Sequence, residues 1–205
     1  MSPDGLIYHP QFVPPHLREE VDNFLHTATF GELPGRKVLQ YGKLYDYKVR
    51  NLTLTMPPIP ETLQKLTALL PEQNLTQCIV NRYLPGEGIA PHIDSQDFGS
   101  RIYCFTFGSP VTLDFTKEGE VSHSFRPDVY SLYIMTSEAR YLWKHGIAKR
   151  KTDTVNGQKV KRGTRYSITF RSVLSYFTPT NSISQCENFH TNTFQLNSFK
   201  ESYEQ

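Results

Sequence analysis

The sequence predicts a mainly β fold with flanking helices, and three observations carry that prediction. Two one-sided helical stretches stand near the N-terminus, the helical period stops at about Glu72, and β-favouring runs then follow at turn-punctuated intervals: CIVNRYL, RIYCFTFG, VTLDFT, VSHSF, VYSLYIM, YLWKHGI and RYSITFRSV. A sandwich, a barrel or a jelly roll fits that spacing, with the helices packed outside.

The first helix is expected after Pro14-Pro15, because Leu17, Val21, Phe24 and Leu25 recur on one face and proline is well placed at a helix start. The second begins near Pro60 and uses Leu63, Leu66 and Leu70. Between them, the tyrosine-rich segment RKVLQYGKLYDYKVRN predicts strands joined around Gly42. Beyond about Leu174 the chain becomes Ser, Thr, Asn, Gln and isolated Phe without a period, which predicts a flexible or loosely docked tail over 174–205. The 205 residues suit one ordinary domain, expected over 1–173, with the helices and tyrosine segment in 1–74 and the β core in 75–173.

Charge alone neither argues for a polyanionic partner nor excludes one: 22 Lys and Arg face 20 Asp and Glu, a formal balance of +2. Cys78, Cys104 and Cys186 are odd in number and show no CxxC spacing, so neither a disulfide framework nor a zinc knuckle is implied. No signal peptide or membrane span is legible, so the expectation is an intracellular protein, cytoplasmic or nuclear, and a monomer without membrane attachment.

In a strand, residues two apart share a face, so His92 and Asp94 in PHID offer an imidazole and a carboxylate to one point. His145 lies in a later β run, 51 positions beyond Asp94, a separation that sheet pairing closes. Two histidines and one carboxylate on one side of a metal leave open positions, the arrangement of non-haem iron(II) oxygenases. In RYSITFR, Arg165, Ser167, Thr169 and Arg171 share one face and Tyr166, Ile168 and Phe170 the other. Two arrangements satisfy that pattern: a polar face in solvent, or a polar interior that holds the two ends of a small dicarboxylate. Asn81 and Tyr83, again two apart, could add an amide and a phenol to the same carboxylates.

Asn81-x-Tyr83, His92-x-Asp94, His145 and Arg165-x5-Arg171, in that order, resemble the signature of the AlkB family of dioxygenases over roughly residues 75–173. The resemblance implies a double-stranded β-helix (jelly roll), with Fe(II) bound by His92, Asp94 and His145, and 2-oxoglutarate and O2 as co-substrates. It further implies Arg165 on the far carboxylate of 2-oxoglutarate, and Arg171 near the metal-proximal one, helped by Asn81 and Tyr83. NRYLPGEGIAPHID and RYLWKHGI look most similar to the eukaryotic branch that includes the tRNA wobble-uridine hydroxylase. The implied reaction hydroxylates a substrate C–H bond; on an N-methyl group the product releases formaldehyde, which amounts to demethylation.

LQYGKLYDYKVRN resembles the family's nucleotide-recognition lid, with Tyr41, Tyr45 and Tyr47 as stacking surfaces and Arg36, Lys37, Lys43, Lys48 and Arg50 for phosphates. A second basic stretch runs from Lys144 through Lys149, Arg150, Lys151, Lys159 and Lys161 to Arg162, against the single acid Asp153. The expected partner is nucleic acid, RNA ahead of DNA, with separate proteins or the basic loops themselves serving tRNA docking. One departure concerns Gln96, where base-repair members often carry an acid; Asp97 is displaced by one, which on a strand would face the other way. The same chemistry on a protein side chain is the alternative.

Overall fold

The structure, a computed structural model, describes residues 2–46, 51–117 and 123–174. In chain order its elements are β1 (Leu6–His9), α1 (Pro15–Thr27), β2 (Gly31–Leu33), β3 (Arg36–Asp46), β4 (Asn51–Thr55), α2 (Glu61–Thr67), β5 (Gln77–Tyr83), β6 (Ile89–His92), β7 (Phe98–Gly108), β8 (Leu113–Thr116), β9 (His123–Phe125), β10 (Leu132–Met135), α3 (Ser137–Tyr141), β11 (Lys144–Ile147), β12 (Thr152–Val155), β13 (Gln158–Lys161) and β14 (Arg165–Val173).

Both predicted helices form where their apolar period is strongest. Pro15 stands in the first turn of α1, where its missing N–H costs no bond, and the helix buries Leu17, Val21 and Leu25. In α2 Leu63 and Leu66 are buried, and the helices are tied by Glu20, which accepts from Thr62 at 3.0 Å and from Lys65 at 2.9 Å.

The large sheet runs β1-β10-β7-β14-β5-β3-β2, with β4 paired to β3, and the small sheet runs β6-β11-β8-β9. Facing each other, they make the double-stranded β-helix. The large sheet carries a core on each side, which explains the polarity of β14. On the helix side, Tyr166, Ile168 and Phe170 pack with Tyr103, Phe105 and Phe107 of β7 and with Leu17, Val21 and Leu66 of the helices. On the side toward the small sheet, Ile102 and Cys104 meet Leu113, Phe115, Tyr133 and Trp143. Arg165, Ser167, Thr169 and Arg171 therefore face the interior, at 0, 6, 5 and 8% exposure. The polar-interior arrangement holds, because the helices rather than the small sheet cover the apolar face.

Three local expectations are corrected. Gly42 does not join two strands: it lies within β3 at φ +79°, and a Cβ there would fall 2.0 Å from the Thr76 carbonyl oxygen, so the close approach of the neighbouring chain demands glycine. β12 and β13 pair as a hairpin where the basic stretch gave no strand signal. Residues 93–97 are irregular, so strand alternation does not govern Asp94, Gln96 or Asp97; Asp97 instead accepts the Ser95 hydroxyl at 2.7 Å. No helix among the described residues is long and apolar enough to cross a membrane. Tyr47, Lys48, Arg50, Cys186 and the predicted tail from Ser175 lie outside the described residues.

Candidate metal centre and co-substrate pocket

β6 and β11 pair antiparallel with His92 directly opposite His145, which brings the two rings to 4.5 Å between centroids. The His92 Nδ1 lies 3.0 Å from the Ala90 carbonyl oxygen, which fixes that ring, and His92 Nε2 is 3.6 Å from Asp94 Oδ1. Ligand atoms of His92, Asp94 and His145 all fall within 4.8 Å of one another. The predicted third donor is thus in place despite its distance along the chain.

The charge states suit a cation. Burial pushes the His145 imidazole down to about 3, with the neighbouring His92 acting in the same sense, so the ring is held neutral as a metal ligand must be. Burial alone would raise the Asp94 carboxyl, but Arg171 chiefly, with His92 and His145, holds it well below the usual range. Arg171 Nη2 donates to both Asp94 oxygens at 3.1 Å and its Nη1 to Gln77 Oε1 at 3.0 Å. Two neutral-capable imidazoles and one ionised carboxylate on one side fit a ferrous ion with open coordination positions.

Next to the three donors lies a cavity with about 440 Å³ of free space, its mouth included, walled by Asn81, Tyr83, Tyr133, Arg165, Ser167, Thr169 and Arg171 among others. Arg165 is wholly buried, and among the described residues no acceptor reaches its Nε, Nη1 or Nη2. Leaving a guanidinium so placed costs several kcal/mol unless an anion meets it. That fits 2-oxoglutarate, whose distal carboxylate would neutralise it. Asn81 accepts from Arg36 Nε at 2.8 Å. Since arginine only donates, the Asn81 Oδ1 must face Arg36, leaving its Nδ2 as a donor on the cavity wall. Tyr133, which no sequence motif singles out, is 3% exposed on the wall; burial pushes its phenol far above the ordinary value, so it remains a neutral hydroxyl. Its only sequence signal is alternation within the short run LYIM, which does not distinguish a wall from a core position.

The lid residues fare differently. Tyr41 is opposite Cys78, half-buried, and packs on the helix side against Phe24, rings 6.5 Å apart. β3 is an inner strand of the large sheet, and its Leu39 and Tyr41 pack partly buried against the helix-side core. Arg36 is engaged with Asn81 and Lys37 with Glu32, so neither is an uncommitted phosphate contact. The backbone of Tyr45 lies in β3 opposite Leu52. In the basic stretch, Arg150 and Arg162 converge on buried Asp153 at 3.0 and 2.7 Å and pin the β12–β13 hairpin. Lys149 and Lys151 are exposed and make no ion pair among the described residues; they lie over the turns at Gly35 and Gly86.

Comparison with known proteins gives one family and several relatives. The family model described as the 2OG-Fe(II) oxygenase superfamily matches residues 7–171. An uncharacterized protein, L905, of Acanthamoeba polyphaga mimivirus is 43% identical over 108 residues, 50% of each chain. The tRNA (carboxymethyluridine(34)-5-O)-methyltransferase alkbh8 of Xenopus tropicalis is 34% identical over 201 residues, covering 83% of this chain and 32% of that protein. The chain therefore spans half or less of the length of these relatives. The solved structure of OsALKBH1 superposes at a TM-score of 0.61 over 84% of this chain and 98% of that one; at 17% identity, the likeness is one of fold.

Proposed function

The chain belongs to the 2OG-Fe(II) oxygenase superfamily, among its AlkB-type members, and from that premise we propose that it oxidises a modified or alkylated base in nucleic acid, RNA in preference to DNA, by hydroxylation or oxidative demethylation. The observation that carries the reading is Arg165, a buried cation without an acceptor among the described residues, in the same cavity as three converged metal donors.

His92, Asp94 and His145 would hold Fe(II), which together with 2-oxoglutarate and O2 supplies the oxidation of an unactivated C–H bond, giving the hydroxylated product, succinate and CO2. Arg165 would bind the distal carboxylate, with Tyr133 as a neutral donor beside it and the Asn81 amide turned toward the cavity. Arg171 keeps Asp94 ionised and oriented. The buried wall of Tyr83, Cys104, Met135 and Ile147 excludes water from that end. Burial holds the Cys104 thiol at about 11, so it is protonated and unreactive in its place on the wall. Substrate enters over the rim where Lys149, Arg150 and Lys151 offer positive charge to phosphates, with Tyr45 and Tyr47 as the remaining stacking candidates. Protein partners would assist tRNA docking, and the protein would act as a monomer in the cytoplasm or nucleus.

Succinate release, measured with bulk tRNA and with N-methylated oligonucleotides, tests the proposal. Stimulation by tRNA with a hydroxylated nucleoside in the digest selects hydroxylation, whereas formaldehyde release from methylated oligonucleotides selects demethylation. A protein side chain as substrate is the second reading, favoured by the packing of half-buried Tyr41 against Phe24 on the helix side; succinate release stimulated by peptide and by no oligonucleotide would establish it.

A further inference from the structure

Two of the three metal donors are fixed by strand pairing, and the third is not. β6 ends at His92, and from Ile93 to Asp97 the backbone belongs to no strand. The pairing that sets His92 opposite His145 therefore stops short of Asp94. Among the described residues, a side chain from α3 reaches the Asp94 backbone, in a segment that the Leu174 amide also pins by donating to the Asp97 carbonyl at 2.9 Å. Arg140, 1% exposed, donates through Nη1 to the Asp94 carbonyl at 2.8 Å and through Nη2 to Ser95 at 2.5 Å and Phe98 at 3.3 Å; its Nε reaches Gly99 at 3.3 Å. All four acceptors are neutral carbonyls of one turn. Its guanidinium also lies 4.8 Å from the ring centre of Tyr141.

Leaving the donors of a guanidinium so buried unmet costs free energy, so these bonds favour the one shape of the segment that presents those carbonyls. Arg140 also stands at the end of the connection that leads through Leu142 and Trp143 into β11 and His145. It thus ties the segment carrying the carboxylate to the segment carrying the second imidazole. Arg171 grips the other end of Asp94, at its oxygens.

We propose that Arg140 is a positioning residue of the metal centre: by clamping the 94–99 turn it aims the Asp94 carboxylate at the point shared with His92 and His145, and so sets metal affinity without contacting the metal. Outer groups that orient metal ligands typically change affinity 10- to 100-fold, on the order seen for other metalloproteins.

The inference rests on the metal reading of the site, and the experiment separates the two. Metal-free protein is titrated with Mn(II) alone, followed calorimetrically, together with the visible spectrum of the Co(II) form. R140Q is expected to bind Mn(II) about 10- to 100-fold more weakly and to show an altered Co(II) spectrum, with R140K intermediate because an ammonium retains some of the carbonyl contacts. Leu66→Val, in the helix-side core, supplies the contrast: it lowers the melting temperature and leaves Mn(II) affinity unchanged. Should R140Q fail to fold, R140K decides, a loss of several-fold supporting the role and wild-type affinity overturning it. Undiminished binding by R140Q overturns the role of the arginine alone, whereas wild-type protein that binds no metal overturns the metal reading with it.

Discussion

Arg165 and Arg150 are the same side chain in opposite surroundings. Arg165 projects from β14 into the interior, completely buried and met by no acceptor among the described residues. Arg150 stands at the surface with its side chain 42% exposed and Asp153 at 3.0 Å. In the interior a charge is strong and costly, because the surroundings cannot screen it; at the surface it is weak, replaceable and sensitive to salt. On the proposed reading the difference separates two tasks: the pocket would hold one small dianion in one pose, whereas the exposed basic residues would meet many phosphates in many poses. Loss of function on substitution should therefore be steep and specific inside, and shallow and additive outside.

The largest effect is expected at Arg165, with stability and function moving in opposite directions. Arg165→Met removes an uncompensated buried cation, so the protein without co-substrate should be no less stable than wild type, and its Tm is expected to stay or rise. The KM for 2-oxoglutarate should rise by roughly 30-fold to several thousand-fold, the range for truncating one partner of a buried, hydrogen-bonded charge pair at about 2–5 kcal/mol. A Tm scan and a 2-oxoglutarate titration on the same protein check both signs, and a variant that loses stability while keeping its KM would mean that Arg165 is a structural ion rather than a ligand for one.

Asp153 tests the boundary between the regions, because it is buried while the hairpin it anchors is exposed. Burial acts to raise its carboxyl, and Arg162, the Thr112 amide and Arg150 more than offset this, so the net shift is downward. A carboxyl depressed in the folded state stabilises fully above its unfolded value, and the contribution fades as pH falls through the lower folded value. Asp153→Asn leaves Arg162 buried without its counter-charge, a loss of about 3 kcal/mol. The Tm gap to wild type should be constant from pH 7 down to about 4 and close below that. Because the hairpin lies outside the pocket, co-substrate affinity should change little; a parallel fall in that affinity would erase the separation between the two regions.

What the sequence disclosed follows the same division. Asn81, Tyr83, Arg165 and Arg171 were legible because a strand puts every second residue on one face, and the metal pair His92 and His145 because pairing closes the sequence gap between them. Asp94, whose ligand atoms do converge with those of His92 and His145, was selected by a rule that does not apply to it, since it lies past the strand. Arg140 was invisible: α3 is five residues long, too short for a period, and a buried arginine bonded to carbonyls leaves no charge partner to search for. The face of Tyr41 was legible but not its environment, because alternation along β3 does not say that the helices pack on that side. The partners Arg36–Asn81 and Arg162–Asp153 depend on folds of the backbone that composition does not encode, so charges that counted toward a phosphate footprint are engaged within the protein.

The smallest effect, and the one that bears on the nucleic-acid reading, concerns what remains of that footprint. Lys149 and Lys151 project from the rim over the turns at Gly35 and Gly86 and are not engaged by any acid among the described residues. Each phosphate they neutralise releases a counterion, so a single strand should lose affinity with salt at a log–log slope of about −0.7 per contact. The double variant K149E/K151E is expected to weaken oligonucleotide binding by roughly 10-fold at low salt and to make the slope shallower by about 1.4, while KM for 2-oxoglutarate stays unchanged. Fluorescence anisotropy across a salt series measures both. Because the two lysines act through screened charge, the variant and wild type should converge at high salt; a difference that persists there would place these side chains in a desolvated contact and move them, functionally, from the rim to the pocket.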